Sequence, residues 1–303
     1  MHVLALVNQK GGCGKTTAAV NFAAALAARG RRVLLVDLDP QAHATLALGW
    51  AVDDEPILLE VLQGESGVDE ALVSAPGGFW LLPASEDLAE FEESSARSLH
   101  PESVLAEALR RTRTDFDEVI LDCPPRVDGV LAKNALRACQ TALLVVETGA
   151  FALQGAVKAL EILDDVQLEL ETPFETRILG TLFDRRTRFA RELLLALHMR
   201  FEEELLDTVV RTSVRLREAA AMGVPVQLLD PSCRASEDFD ALAEEWLALR
   251  SREESESAPA SWLRREDAAP IPEAVHDRRE LLANFEEWHA SSRALHPSLP
   301  PLP

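Results

Sequence analysis

Apolar residues follow two rhythms along this chain. Val3 to Val7, Val33 to Val36, Val119 to Leu121 and Leu143 to Val146 are unbroken runs without polar alternation, as strands covered on both faces require. Ile178 to Phe183, Thr208 to Val210 and Phe79 to Leu82 read as further strands. Between them, apolar positions recur at helical spacing over 18–28, 129–138, 151–164, 187–203 and 234–249. Gly30 marks the end of the first helix. Such alternation predicts an α/β fold, a mostly parallel twisted sheet with helices on both faces. From 51 to 113 the pattern is weaker. It holds an amphipathic piece at Ile57 to Leu62 and acidic helical segments near Asp87 to Glu93 and Glu102 to Arg110, and no chemistry is assigned there.

At Ser251 the periodicity stops in the polar, charged SREESESAPAS. This predicts a domain over 1–250, a linker over 251–260 and an extension over 261–303. The extension sets Trp262, Leu263, Ile271, Leu281, Leu282, Phe285 and Trp288 among prolines and charges. It either docks back on the domain, recruits a partner or stays unstructured.

Composition narrows the function classes. With 303 residues and 47% hydrophobic content the chain can bury a sizeable core. No apolar run has membrane-spanning length and the first strand starts at once, so a cytoplasmic protein is expected. Cys13, Cys123, Cys139 and Cys233 show no CxxC pairing and read as reduced thiols. The seven histidines are scattered without a metal pattern. A net charge of −21 excludes a protein that coats nucleic acid over its whole surface, so any DNA contact must be local.

The chemistry gathers where strands end. Asn8 to Thr17, NQKGGCGKTT, follows the first strand and opens the first helix. Gly11, Gly12 and Gly14 free the backbone to wrap a polyphosphate, Lys15 reaches the outer phosphates, and Thr16 can ligate Mg²⁺. In the GxxxxGK[ST] pattern Gln9 stands where the first glycine belongs, and a second lysine, Lys10, enters. Asp37 and Asp39 close the second strand. Asp122 closes the run before Cys123-Pro124-Pro125, whose prolines turn the chain out of the sheet. Basic residues outnumber acidic ones around Arg185, Arg186, Arg188 and Arg191, and again at Arg211, Arg215 and Arg217.

KGGCGKTT, then VLLVDLDPQ, then VILDCPP, in this order and each at the end of an apolar run, resembles the ParA/MinD family of deviant P-loop ATPases, nearest its ParA partition branch. The resemblance covers roughly residues 1–250. It implies ATP and Mg²⁺ as cofactors. ATP would be held by Lys10, Gly11, Gly12, Cys13, Gly14, Lys15, Thr16 and Thr17, and the metal by Thr16, Asp37 and Asp122. Catalysis would rest on Lys10, Lys15 and Asp39, with Lys10 crossing a dimer interface to the partner's ATP and Asp39 orienting the attacking water. Residue by residue, a solvated loop lysine is the plain alternative for Lys10 and a helix cap for Asp39. VRTSVRLREA is similar to the family's region of non-specific DNA binding, with Arg215 the best match, Arg211 or Thr212 at an upstream position, and Arg186 a further candidate. The plain alternative is that these arginines pair with Glu192, Glu202 and Glu218.

The implied function is a slow, partner-stimulated ATPase that dimerises with ATP, binds DNA without sequence preference and positions a chromosome, plasmid or protein cargo with a ParB-like activator. In the ATP state it would sit on the nucleoid. One alternative is a MinD-like membrane-associated regulator. Its amphipathic helix would fall at Leu281 to Leu295, where Glu286 and Glu287 flank Trp288 and anionic lipid would repel it. Another is a metabolic enzyme on the same fold, such as a ligase or reductase.

Overall fold

The unbroken apolar runs become the strands of one eight-stranded sheet. A computed structural model describes residues 1–50, 56–95, 100–149, 151–170 and 173–257. The strands are β1 (His2–Val7), β2 (Val33–Asp37), β3 (Val73–Ala75), β4 (Phe79–Leu82), β5 (Glu118–Asp122), β6 (Thr141–Glu147), β7 (Glu175–Phe183) and β8 (Leu205–Arg211). They lie in the order β3-β4-β2-β5-β1-β6-β7-β8. Every pairing is parallel except β3 with β4. β3 escaped the sequence reading because three residues are too few to show a period.

The helices are α1 (Lys15–Ala28), α2 (His43–Ala47), α3 (Leu58–Gln63), α4 (Leu88–Ser94), α5 (Val104–Arg111), α6 (Val130–Ala138), α7 (Ala152–Leu168), α8 (Arg188–Arg200), α9 (Val214–Ala221), α10 (Val226–Leu229) and α11 (Arg234–Ser257). Alternate strand residues feed two cores. Val3, Ala5 and Val7 join Leu58, Leu105, Leu131, Ala156 and Leu197 beneath α3 to α8. Leu4 and Leu6 join Phe22, Ala44, Leu216, Val226 and Phe239 beneath α1, α2 and α9 to α11. That division is why Val3 to Val7 of β1 hold no polar residue.

α1 is buried almost all round, which explains its alanines: small side chains let sheet, α2, α10 and α11 close on it. Asn21 is its one polar residue over 18–28, and it pins α10. Its Nδ2 donates to Thr17 O at 2.7 Å, its Oδ1 accepts from Val226 N at 2.7 Å, and its O accepts from Gln227 Nε2 at 2.9 Å.

α11 corrects one expectation. The helix continues through Ser257, so residues 251–257 of the expected linker are helical. Arg252, Glu253 and Glu254 are good helix formers, and a polar stretch extends a helix once one side needs no further burial. The chain divides into the units Met1–Glu254 and Ser255–Pro303, and the extension expected at 261–303 lies outside the described residues. Among those residues no helix is long and apolar enough to cross a membrane.

α2 and α9 meet at two glycines. Gly49 and Gly223 both have φ near +70°, and a Cβ on Gly223 would lie 2.9 Å from Gly49 Cα. Gly223→Ala combines a left-handed conformation, about 1–2 kcal/mol, with overpacking against backbone, about 1–3 kcal/mol. A loss of about 3 kcal/mol is expected, lowering Tm by about 10 °C. Gly64 has φ +77° with nothing near its would-be Cβ, so Gly64→Ala should lose only the conformational part. Equal melting shifts for the two variants would show that the contact is slack.

Candidate active site

Parallel register puts the carboxylates side by side. Asp37 is opposite Asp122 across β2 and β5, and Leu6 is opposite Asp122 across β5 and β1. Both acids therefore end their strands where β1 releases residues 8–14, at the carboxyl edge of the sheet.

Side chains from elsewhere hold the loop open. Asn8 Nδ2 donates to Val145 O at 2.6 Å, Lys10 N donates to Asn8 Oδ1 at 3.0 Å, and Thr181 Oγ1 donates to Cys13 O at 2.6 Å. Gly12 and Gly14 take φ of +76° and +92°, turning successive amides inward as an anion nest does. Among the described residues none of the backbone N–H groups of residues 11–17 donates to a backbone oxygen. A Cβ on Gly11 or Gly12 would meet no atom within 4 Å, so the space beside these amides is open. Thr181, a polar residue in a buried strand, was passed over by the sequence reading; its lone hydroxyl in RILGTLF was the available signal.

The cradle opens into a cleft of about 700 Å³ lined by Gly11, Gly12, Gly14, Lys15, Thr16, Thr17, Asp39 and Gln41 on the loop side. Leu182, Val210, Leu216 and Val224 add apolar surface to its lining, beside Arg211, Thr212 and Arg217. Lys15 is 7% exposed at the loop's base. The Cys13 side chain is buried, which raises its pKa, so only its backbone faces the site.

The two strand-end acids differ. Asp37 is satisfied: Oδ2 accepts from Thr45 N and Thr45 Oγ1, both at 2.8 Å, and Oδ1 accepts from Asp39 N at 3.3 Å. Burial still pushes its pKa up to about 6. Asp122 is fully buried with both oxygens unpartnered. Burial and then the Asp37 carboxylate push it up to about 8, opposed by the Thr16 hydroxyl, which falls short of hydrogen-bond geometry, and by Lys15. A buried carboxylate with two orphan oxygens costs several kcal/mol unless a cation completes it. Asp122 and Thr16 thus fit a hard divalent ion beside a polyphosphate, whereas Asp37 spends its oxygens on the fold. Asp39, 9% exposed, accepts from Gln41 N at 3.0 Å and lines the cleft. α2 is capped by Ala42, so Asp39 is not its cap.

Lys10 stands apart from its own cleft. Its side chain is 64% exposed and ion-paired with Glu147 at the end of β6. The arginines also separate. Arg211 is bound to the fold: its backbone N and Nε donate to Asp238, and its Nη2 donates to Arg234 O at 3.0 Å and pairs with Glu237 at 3.3 Å. Its side chain is 23% exposed, so its guanidinium is largely committed to Asp238 and Glu237 in the free chain. Arg186 is chelated by Asp184, and Arg188 pairs with Glu192. Arg215 is 53% exposed and meets Glu218 at 2.8 Å and Asp230 at 3.3 Å.

Known proteins resemble this chain in sequence and fold. A family model described as an AAA domain matches residues 1–176. The chromosome-partitioning ATPase Soj of Thermus thermophilus is 40% identical over 81% of this chain and 95% of its own length. The chromosome partitioning protein ParA of Caulobacter vibrioides is 34% identical over 86% and 98%. Among solved structures, cobyrinic acid a,c-diamide synthase from Mycobacterium smegmatis with bound ADP and magnesium superposes with a TM-score of 0.71. It is 34% identical, covering 84% of this chain and 96% of that one.

Proposed function

The chain belongs to the ParA/MinD family of P-loop ATPases, nearest its ParA/Soj members, and from that premise we propose that it is an ATP-driven dimer switch for partition. The observation that carries this reading is Lys10: it sits at the tip of the phosphate loop yet outside its own cleft. A cation so placed serves a nucleotide held by a second copy. The amides of residues 11–17 and Lys15 bind the phosphates, and the apolar part of the lining receives the base. Mg²⁺ fits at Thr16 and Asp122, where it would neutralise phosphate charge. Asp37 and Thr45 keep the Asp39 turn in place, and Asp39 orients water at the cleft. ATP closes the homodimer, the dimer binds DNA without reading sequence, and a ParB-like activator stimulates hydrolysis and release. The cargo is a chromosome, a plasmid or a protein assembly, and the protein works in the cytoplasm, on the nucleoid when ATP is bound.

Arg215 is the DNA contact this reading needs. Exposed ion pairs are worth about 0–1 kcal/mol, so a phosphate can displace Glu218 and Asp230. In sedimentation with long duplex DNA and with anionic vesicles, each with and without ATP, the chain should pellet with DNA and ATP only. Arg215→Glu should abolish that binding, about a hundredfold or more, while sparing ATP affinity. Wild-type binding should fall steeply with salt, as phosphate contacts do. Pelleting with vesicles instead, or unchanged binding by Arg215→Glu, removes the DNA step. A synthase, the activity named for the Mycobacterium smegmatis structure, predicts phosphate release that waits on a small co-substrate rather than on DNA and partner.

A further inference from the structure

One helix surface far from the phosphate loop in sequence has a makeup unlike the rest of this acidic chain. The exposed residues of α8 are Arg188, Phe189, Arg191, Glu192, Leu195, His198 and Met199, and none of them lines the nucleotide cleft. Phe189 is 45% exposed, Leu195 58% and Met199 78%. Leu195 and Met199 are four residues apart and Arg191 precedes Leu195 by four, so the three share one stripe. The other side of α8 is already spent: Ala190 and Leu197 are buried, and Leu193 and Leu194 pack on the core beneath.

Charge on this stripe is inverted relative to the chain. Its one acid, Glu192, is held by Arg188 at 2.6 Å, and Asp184 in the preceding turn is held by Arg186 at 2.8 Å. Arg185 and Arg191 make no ion pair among the described residues. The result is an exposed apolar pair, Leu195 and Met199, beside a neutralised Arg188–Glu192 pair and spare positive charge, on a molecule of net charge −21. Large exposed apolar side chains on one face mark an interaction site.

We propose that Leu195 and Met199, flanked by Arg191 and with Arg185 in the preceding turn, form a docking surface for an acidic amphipathic helix of a partner protein. Helix on helix is the recognition mode that uses such a stripe. DNA fits less well, because phosphate contacts gain nothing from Leu195 and Met199 at the centre. A bilayer fits less well too, since an extended anionic surface would also face the exposed Glu202 and Glu203 just after α8. A helix about 10 Å wide covers only the stripe, and with a Debye length of about 8 Å the remaining negative charge is largely screened. One helix face lies well under the roughly 1,600 Å² of a standard interface, so the contact is transient and micromolar. It does not depend on the nucleotide reading.

The test uses the full chain and a fluorescent 18-residue peptide with leucines at i, i+3, i+4 and i+7 and glutamates elsewhere. Fluorescence anisotropy should show micromolar binding at least tenfold tighter than to a scrambled isomer or a lysine-for-glutamate version. Leu195→Glu combined with Met199→Glu should weaken it tenfold or more, and Arg191→Glu severalfold with a shallower salt dependence. These side chains are exposed, so circular dichroism and Tm should match the parent, and ATP turnover should be unchanged. Equal binding of the scrambled peptide, or unaltered binding by the double variant, overturns the proposal. So does tighter binding of a 30-base-pair duplex or of phosphatidylglycerol vesicles that the double variant loses. Self-association abolished by the double variant would assign the stripe to a second copy and likewise overturn it.

Discussion

Lys10→Ala is expected to lower ATP turnover in the presence of DNA and partner by about 10² to 10³, while ATP affinity stays within about threefold of the parent. A charge delivered in trans to a transferring phosphoryl group is worth at least that much in related chemistry. ATP affinity survives because Lys15 and the amides of residues 11–17 remain. The structure adds a second arm, since Lys10 is paired with Glu147 in the free chain. Delivering Lys10 to another subunit means breaking this exposed pair, a cost of about 1 kcal/mol or less. Glu147→Gln should therefore tighten ATP-dependent dimerisation severalfold at most, opposite in sign to Lys10→Ala. Phosphate release and sedimentation velocity with and without ATP read both arms. Parental turnover in Lys10→Ala would return the residue to a solvated loop lysine.

Asp122→Asn should abolish turnover and yet stabilise the free protein at alkaline pH. Asp122 is pushed up to about 8 in the folded chain, against about 3.9 for an unperturbed aspartate. Between those values the folded state holds a proton that the unfolded state has released. Stability of the nucleotide-free chain thus falls as pH rises from about 4 toward 8, and Asp37, raised to about 6, adds to the fall over the lower half of that range. Asparagine has no such proton to lose, so the variant should gain on the order of a few kcal/mol at pH 8 relative to the parent. That is several degrees in Tm. Mg²⁺ with ATP should raise the parent's Tm more at pH 8 than at pH 6, because a bound cation favours the ionised carboxylate. The variant should lose that difference. A lower Tm for the nucleotide-free variant at pH 8, or measurable turnover, would mean that Asp122 is neither frustrated nor needed.

The contrast between Asp37 and Asp122 separates what is local from what is not. Both end an apolar run, and nothing in the two runs distinguishes them. Asp37 is followed at i+2 by Asp39, whose N–H reaches back to it. Asp122 is followed at i+2 by Pro124, which has no N–H to give. That half of the difference was written in the chain. The other half, Thr45 turned back onto Asp37, depends on a left-handed Ala42 at φ +50°, which no propensity foretells.

The sequence by itself determined the layered sheet and the phosphate loop. A strand buried on both faces must be apolar at almost every position, and a backbone that turns its amides toward an anion must be rich in glycine. Both requirements act within a few residues, so they leave a local record. Only the tertiary structure decided the roles of residues whose partners are distant. Arg211 and Arg215 look alike in VRTSVRLREA, but Asp238, 27 positions on, claims the first and leaves the second exposed. Lys10 finds Glu147 across 137 positions, and the glycines of α2 and α9 touch across 174. Charge pairing and close packing are set by proximity in space, and linear order does not carry it.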